Sequence, residues 1–301
     1  MSYNFQYSNA GPYSYMGQAQ YRRRGSCLRR LLIFVVVVVL LGAGAAFIAR
    51  NTILAGPTII PVSAHPILVI DSHANNGSTF THDATSIHIQ AANTGDKIIL
   101  QAMNPYGISL PLSIPISYDH SSDDSIIIID VDSLQSDKVE ITVPASLDLK
   151  LDTNSKNIEV DGISGQVVLS SNSGTISVTH STLFGSSLLA NNSGAIIATQ
   201  DTLSGPVTFN NNGGSITFNG SVDPNGTYQF QSNSGTIDVT LPRNTSLHLD
   251  ATANSANNAS ITADFPGLLV KNSAIHADMG RPPRAMVTLY DNGGSIKLHA
   301  Q

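Results

Sequence analysis

The sequence predicts an all-β protein, built as a single-stack β-solenoid that one transmembrane helix precedes. A turn motif containing Asn and Gly recurs at a nearly constant interval. Apolar residues alternate on both sides of each turn, and one uncharged apolar segment lies near the amino terminus. A fixed interval of about 20 residues is typical of solenoids, in which each repeat stacks on its neighbours.

The repeat is defined by a glycine that follows an asparagine by two residues. The glycines are Gly174, Gly194, Gly214, Gly235 and Gly294, and the first three intervals are 20, 20 and 21 residues. The asparagines are Asn172, Asn192, Asn212, Asn233 and Asn292. Because Gly and Asn accept the positive φ of a tight corner, we expect each motif to form a turn between two short strands.

Apolar residues flank the first turn as Val167 and Leu169 before it and Ile176 and Val178 after it. Alternation with period 2 places such residues on one face of each strand. A short strand pair cannot bury this face alone, whereas stacked units bury it as one core. A propeller blade needs about 40–45 residues and fits the interval less well. A sandwich of hairpins explains the alternation, but not the fixed places of Asn and Gly.

The column of asparagines has two interpretations. It is either a structural ladder or a surface that binds sugars or ions. We favour the ladder, because side-chain amides at the spacing of stacked strands hydrogen-bond to one another along the stack.

Composition favours an extracellular all-β protein. Charged residues make up 12% of the 301 residues, and Trp is absent. The single cysteine, Cys27, cannot form an intrachain disulfide. Residues 1–50 contain six arginines and no acidic residue, so residues 51–301 carry nine basic and 21 acidic residues, a net charge of −12. This charge argues against nucleic acid or another polyanion as a partner.

The amino-terminal region predicts a membrane anchor. Residues 1–30 have no apolar period and predict a disordered cytoplasmic tail. Residues 31–49 are uncharged and long enough, at about 1.5 Å per residue, to span a bilayer as a helix. Five arginines precede this segment and Arg50 follows it. The positive-inside rule therefore predicts a single-pass protein of the cell membrane, with its amino terminus in the cytoplasm and its carboxyl-terminal domain outside. A cleaved signal peptide is the alternative, since small residues occur at 42–45.

Residues 66–301 form the predicted solenoid domain. Residues 50–65 contain two prolines without an apolar period and predict an extended linker. Less regular strands are expected before the main repeats, as an atypical cap of the stack. These strands are predicted at 67–70, 86–89, 97–100, 126–129 and 139–143. Residues 103–124 and 264–286 contain Pro and Gly and predict loops that project from the stack, where binding faces often form.

No catalytic, cofactor or metal site is predicted. Four histidines could meet in the first coils, although scattered surface histidines are the better interpretation: His73, His82, His88 and His120. The densest acidic group lacks the EF-hand pattern and consists of Asp119, Asp123, Asp124, Asp130 and Asp132. An enzyme acting on cell-wall glycans would draw on Asp123, Asp124 or Asp130. However, GxSxG, P-loop and metal-ligand motifs are absent from the sequence, and we predict a protein that is not an enzyme.

From residue 139 onward the sequence resembles the bacterial "putative adhesin" family, a domain of unknown function. Val-Pro-Ala at 143–145 is followed by repeated units of the form Ser-Gly-x-Ile-x-Val, first at 173–178. The resemblance covers roughly 66–301 and is clearest over 139–298. The sequence departs from the pattern at 156–157 and 254–256, where the Gly is missing. The resemblance implies a right-handed, β-helix-like solenoid on a bacterial surface, and it brings no catalytic residues with it.

These observations predict a membrane-anchored, adhesin-like module that binds or has a structural role at the cell surface. The expected partners are the membrane, through the anchor, and a cell-wall or surface glycan or protein. The alternative is an envelope-stress sensor or scaffold that signals through the single helix to the Tyr-rich tail. Deleting residues 1–21 distinguishes the two, because it spares adhesion and abolishes signalling.

Overall fold

The computed structural model describes residues 57–72, 86–103, 118–122, 124–130, 138–254, 260–265, 268–271 and 273–301. All secondary-structure elements in these ranges are β-strands. They contain no helix with the length and apolarity needed to cross a membrane. The predicted tail (1–30) and transmembrane segment (31–49) lie outside the described residues.

The strands form two sheets. Sheet A is parallel except at one edge, where its first two strands run antiparallel to their neighbours. Its strands follow one another in space as β1 (Thr58–Pro61), β4 (Lys97–Met103), β7 (Lys138–Val143), β3 (Ser86–Ala91), β9 (Asn157–Asp161), β12 (Ile176–Thr179), β15 (Ile196–Ser204), β17 (Ile216–Val222), β19 (Thr236–Leu241), β24 (Ser295–Ala300) and β21 (Ser260–Ala263). Two short strands branch from it near β15, namely β10 (Ser164–Gly165) and β13 (Thr182–Phe184).

The other sheet, sheet B, is parallel except at its two edges. Its strands follow one another as β5 (Tyr118–His120), β6 (Ile126–Asp130), β2 (Ile67–Ser72), β8 (Asp148–Thr153), β11 (Val167–Ser171), β14 (Ser187–Asn191), β16 (Pro206–Asn211), β18 (Thr227–Ser232), β23 (Ala285–Asp291), β20 (Leu247–Ala253) and β22 (Ala274–Met279). One coil of the solenoid consists of a sheet B strand, a turn and the sheet A strand that follows it.

The coils stack in register, so equivalent apolar residues form columns. Ile176 pairs with Ile158 on one side and with Ile196 on the other, and all three are fully buried. Both sheets contribute to one core. In its middle the rings of Phe209 and Phe230 stack at 4.7 Å between centroids. Burying one such side chain contributes about 1.5–3 kcal/mol, so stacking supplies the stability that a single coil lacks.

The repeated glycines have a different role from the predicted one. None of the five has a positive φ, so the corner conformation that we expected is wrong. A Cβ on any of them would instead overlap a backbone carbonyl of the adjacent coil. On Gly214, for example, it would meet the oxygen of Gly194. Glycine is required because successive turns pack backbone against backbone.

The asparagine column is a hydrogen-bonded ladder, which confirms the structural interpretation. The side-chain amide of Asn212 donates to Asn192 Oδ1 at 2.8 Å, and that of Asn233 donates to Asn212 Oδ1 at 2.8 Å. The ladder then continues out of sequence order. Asn292 donates to Asn233 at 3.4 Å, and Asn254 donates to Asn292 at 2.8 Å.

This order reveals that the carboxyl-terminal coil is inserted into the stack. In sheet B, β23 lies between β18 and β20, and in sheet A β24 lies between β19 and β21. The last coil along the chain is therefore an interior coil. The coil that precedes it in sequence, β20–β21, forms the end of the stack.

The amino-terminal end repeats this arrangement. The first coil, β2–β3, lies between the coil β6–β7 and the coil β8–β9. At both ends the sequence order and the spatial order differ. The predicted strands at 67–70, 86–89, 97–100, 126–129 and 139–143 are all present.

Two predictions about connections need correction. The described part of the predicted linker 50–65, from residue 57 onward, contains β1, which pairs with β4 and whose Ile60 is buried in the core. The described parts of the predicted projecting loops 103–124 and 264–286 contain β5 and β22, while residues 104–117, 123, 266–267 and 272 lie outside the described residues. These two strands run antiparallel to β6 and β20 and cover the edges of sheet B. Covered edges protect a stack of strands from pairing with other chains.

Candidate binding cleft on sheet A

Polar side chains form a continuous row on the outer face of sheet A. The row crosses β7, β3, β9 and β12, and its members are Glu140, His88, Glu159 and Ser177, which pair in register. These side chains point outward because successive residues of a strand face opposite sides of the sheet. Ile87 and Ile89, on either side of His88, are buried in the core. His88 reaches this row only because β3 is inserted between β7 and β9.

A second row lies two residues further along the same strands. The hydroxyl of Thr179 donates to Asp161 Oδ1 at 2.9 Å. His180, which follows β12, has a left-handed φ of 51°. Its Nδ1 lies 2.8 Å from the same Asp161 oxygen. The unusual backbone conformation thus accompanies a tight contact between an imidazole and a carboxylate.

These rows line an open cleft of about 230 Å³. Its lining residues are His88, Glu159, Val160, Asp161, Ser177, Thr179 and His180. Glu140, beside it in the first row, is 2.9 Å from Lys138 Nζ and 3.9 Å from His88 Nδ1. Glu159 has no side-chain partner among the described residues. The cleft therefore offers one free carboxylate, one imidazole-bound carboxylate and two hydroxyl groups.

The electrostatics of the cleft follow from the Asp161–His180 contact. The hydrogen bond from His180 lowers the pKa of Asp161 below its ordinary value, and partial burial opposes this shift. The same hydrogen bond raises the pKa of His180 above its ordinary value. Each partner thus favours the charged form of the other.

A buried carboxyl lies beside the cleft without lining it. Asp201 Oδ1 accepts a hydrogen bond from the backbone N–H of Ser181 at 2.7 Å, whereas its Oδ2 is buried without a partner. Burial raises the pKa of Asp201 to about 7. The residue lies at a register shift between β15 and β17, which indicates a structural role at that corner.

The structure separates the candidate residues named from the sequence. His88 lies in the cleft, while His120 lies on β5 of sheet B, 2.8 Å from the carboxylate of Asp124. His73, His82, Asp123 and Asp132 lie outside the described residues, and so does the side chain of Asp130. Within the described ranges, His, Cys, Asp and Glu side chains form no group of three that could hold a metal ion.

The sequence interpretation missed Glu159, Asp161 and His180. Repeat alignment could have placed Glu159 beside Ser177, because both follow the first core isoleucine of their unit. It could not have placed His88 there, since that requires the insertion of β3. The described histidines are spread over both sheets, and each lies within 4 Å of a different carboxylate, which the sequence interpretation did not predict.

A β-solenoid with an open polar cleft belongs to the class of repeat proteins that present extended surfaces to their partners. Residues 71–265 match the family model described as Toastrack DUF4097. The match covers more than half of the chain, and the chain belongs to this family. The family confirms the predicted relationship to adhesin-like domains of unknown function.

Two crystal structures are similar to this chain. A "putative cell adhesion protein" from Clostridium sporogenes is 13% identical, with a TM-score of 0.35, over 81% of this chain and 99% of that one. A "putative adhesin" from Bacteroides fragilis is 12% identical, with a TM-score of 0.28, over 80% of this chain and 95% of that one. Among curated protein sequences, none matches this chain.

Proposed function

We propose that this chain is a non-catalytic, adhesin-like module that is anchored in the cell membrane and binds surface glycans through the cleft on sheet A. The observation that carries the proposal is the cleft itself, in which Glu159, Asp161 and two hydroxyl side chains face solvent side by side. Carboxylates and hydroxyls accept and donate the hydrogen bonds that a hydroxyl-rich ligand offers. An open site on a solenoid face suits a polymer, which can lie along the stack.

The surroundings of the cleft support the same proposal. Beyond it the outer face of sheet A carries short polar side chains such as Thr199, Asn219 and Thr240, in register along the stack. Residues 51–301 have a net charge of −12, which favours neutral or cationic partners over polyanions.

A binding assay with two matched variants tests the glycan proposal. The full chain is incubated with isolated peptidoglycan sacculi and with a printed glycan array. We expect the double substitution Glu159→Gln and Asp161→Asn to weaken binding about tenfold or more, because hydrogen bonds to charged groups contribute about 1.5–3 kcal/mol each. The control is Asp250→Asn, which also removes an outward carboxylate that pairs with a histidine, at 3.0 Å, but on sheet B. Equal binding by both variants, or no glycan bound by the wild type, contradicts the proposal.

The anchor is proposed from the uncharged segment 31–49 and the arginines around it. Protease shaving of cells that express the chain with a tag at each end tests it. We expect loss of the carboxyl-terminal tag and protection of the amino-terminal tag. Loss of the amino-terminal tag in a cleaved leader contradicts the anchor and also removes the signalling alternative. If the anchor holds, deletion of residues 1–21 separates a binding role, which survives, from a signalling role, which does not.

A further inference from the structure

A column of capping side chains lies inside the turns, next to the exposed asparagine ladder. Its members are Ser171, Asn191, Asn211, Ser232 and Asp291. In each turn the side-chain oxygen accepts a hydrogen bond from the backbone N–H of the repeated glycine three residues later, at 2.6–3.0 Å. All five residues are buried. The column therefore fixes every turn from within.

Where the column contains asparagine, the side chain also joins adjacent coils. The amide nitrogen of Asn211 donates to Gly194 O, in the neighbouring coil, at 2.7 Å and to Ser215 O, in its own turn, at 3.1 Å. Asn191 makes the same pair of contacts, to Gly174 O and Ala195 O. The amide nitrogen thus lies between two carbonyl oxygens, and it is a donor.

Asp291 places an oxygen where the asparagines place this nitrogen. A Cβ built on Gly214 would lie 3.1 Å from Asn211 Nδ2, and one built on Gly294 would lie 3.0 Å from Asp291 Oδ2. Each of these built atoms would also overlap the neighbouring coil's carbonyl, that of Gly194 or Gly235. Asp291 is fully buried, and its Oδ2 has no hydrogen-bond partner as a carboxylate. An ionised group here would face a carbonyl oxygen with no donor between them.

We propose that Asp291 is a proton-dependent latch for the carboxyl-terminal coil. In the protonated state its O–H donates to Gly235 O, as the amides of Asn191 and Asn211 donate to the coils beside them. In the ionised state this bond is lost and two acceptors face each other. Because β23–β24 is inserted between β18–β19 and β20–β21, release of this turn loosens an interior coil. The sheet edges on both sides then become accessible to other strands.

The charge environment agrees with this latch. Burial raises the pKa of Asp291, and hydrogen bonds from the N–H groups of Gly294 and Gly293 oppose the shift. In the two adjacent strands its register neighbours are Ser232 and Ala253, neither of which titrates. The turn of the coil beyond, residues 255–259, contains only Ser, Ala and Asn. The titratable groups of β19, β20, β22 and β24 are outside the buried core; they are Asp238, His248, Asp250, His276, Asp278, Lys297 and His299. On β18 the buried Tyr228 donates its hydroxyl to backbone carbonyls.

The sign of the effect follows from linkage. A carboxyl with a raised pKa stabilises the folded state fully below its unfolded pKa, and this contribution is lost as the pH rises through its folded pKa. Between these two values, ionisation of this single group lowers the folding equilibrium constant about tenfold per pH unit. The latch is therefore closed under acidic conditions and opens as the pH rises.

Hydrogen exchange of the full chain from about pH 4 to 8 tests the latch, because the effect begins at the unfolded pKa of an aspartate, about 3.9. The opening constants of the Gly293 and Gly294 amides, corrected for intrinsic exchange, are compared between the wild type and Asp291→Asn. We expect the wild-type constant to rise relative to the variant, by up to about tenfold per pH unit. All other ionisable groups are the same in both proteins and cancel in the comparison.

The matched gain-of-function variant is Asn211→Asp, which should acquire this pH dependence at Gly213 and Gly214. A ratio of wild type to Asp291→Asn that stays constant across the pH range overturns the proposal. An Asn211→Asp protein whose turn opens independently of pH overturns it too. If Asp291→Asn fails to fold while Asp291→Ser folds, an amide does not fit this position and the proposal is also overturned. Serine is the reference because Ser171 and Ser232 occupy the equivalent turns.

Discussion

The middle of the solenoid and its two ends follow different rules. From β11 to β19 each coil stacks on the coil before it in sequence, and the same glycine, asparagine and isoleucine recur at every step. At both ends a terminal coil is inserted between two coils that are themselves consecutive in sequence. The difference teaches that a repeat determines the shape of one coil, whereas the order of the coils is set by contacts between distant parts of the chain.

The insertions also affect function. The middle coils present mainly short polar side chains, while the inserted β3 brings His88 between Glu140 and Glu159. At the other end the inserted β23 brings an aspartate into the column of capping residues. Both regions where the stacking order changes therefore contain side chains that the repeat does not provide.

The largest expected effect is in the middle. Gly214→Ala should destabilise the protein by more than about 4 kcal/mol or prevent folding, because its Cβ would overlap the Gly194 carbonyl. The matched control is Gly213→Ala, whose Cβ would lie 3.2 Å from Asn192 O and should cost about 1 kcal/mol. Urea unfolding followed by circular dichroism measures both. Equal costs would show that the close packing of turns is not what requires glycine.

Core truncations compare the middle with the end directly. Ile296, in the last coil along the chain, and Ile216, in the middle, are both fully buried. Replacing either by Ala should cost about 2–5 kcal/mol, since both leave a cavity inside the stack. Ile261, in the end coil, is 8% exposed, and its replacement by Ala should cost less. If Ile296→Ala is instead the mildest of the three in urea unfolding, the last coil lies at the end of the stack.

The two asparagines of one turn should differ in their importance. Asn211→Ala removes the cap of Gly214 and leaves the carbonyl of Gly194 without a donor, so it should cost about 1–3 kcal/mol. Asn212→Ala removes two exposed bonds of the outer ladder, to Asn192 and from Asn233, and should cost about 1 kcal/mol or less. Thermal unfolding of the two variants provides the measurement. The reverse order would indicate that the outer ladder, and not the inner column, holds the coils together.

The smallest effect concerns the cleft. The hydrogen bond with Asp161 raises the pKa of His180, so the substitution Asp161→Asn should lower that pKa toward its ordinary value. A histidine NMR titration measures the change, and His276 in the same spectra serves as an internal reference. An unchanged His180 titration would mean that the imidazole–carboxylate contact of the cleft does not form in solution.

The sequence predicted the middle of this fold better than its ends. The period, the alternation and the amide ladder all depend on contacts between consecutive units. Such contacts leave a recurring pattern in the sequence, for example Asn172 followed by Gly174. The insertion of β2–β3 and of β23–β24 depends on pairing across long sequence separations, for which a single sequence contains no local signal. The cleft shares this limit, because Glu159 and Asp161 come from a recognisable repeat while His88 comes from the inserted strand. The sequence also did not reveal why glycine recurs in the turns. Close backbone packing and a positive φ both require glycine, so the pattern cannot distinguish them.

An engineered disulfide tests most directly whether the inserted strand β3 creates the cleft. Gln90 and Thr142 pair in register across β3 and β7, while Gln90 also pairs with Asp161 across β9. Two double-cysteine variants are made in a Cys27→Ser background. In the first, cysteines at 90 and 142 are close enough for a disulfide, because neighbouring strands lie about 4.8 Å apart. Cysteines at 142 and 161 are about twice as far apart, since β3 lies between them. Mass spectrometry under oxidising conditions should find the 90–142 bond and not the 142–161 bond. The reverse result would place β7 directly beside β9, and it would contradict both the inserted coil and the cleft that depends on it.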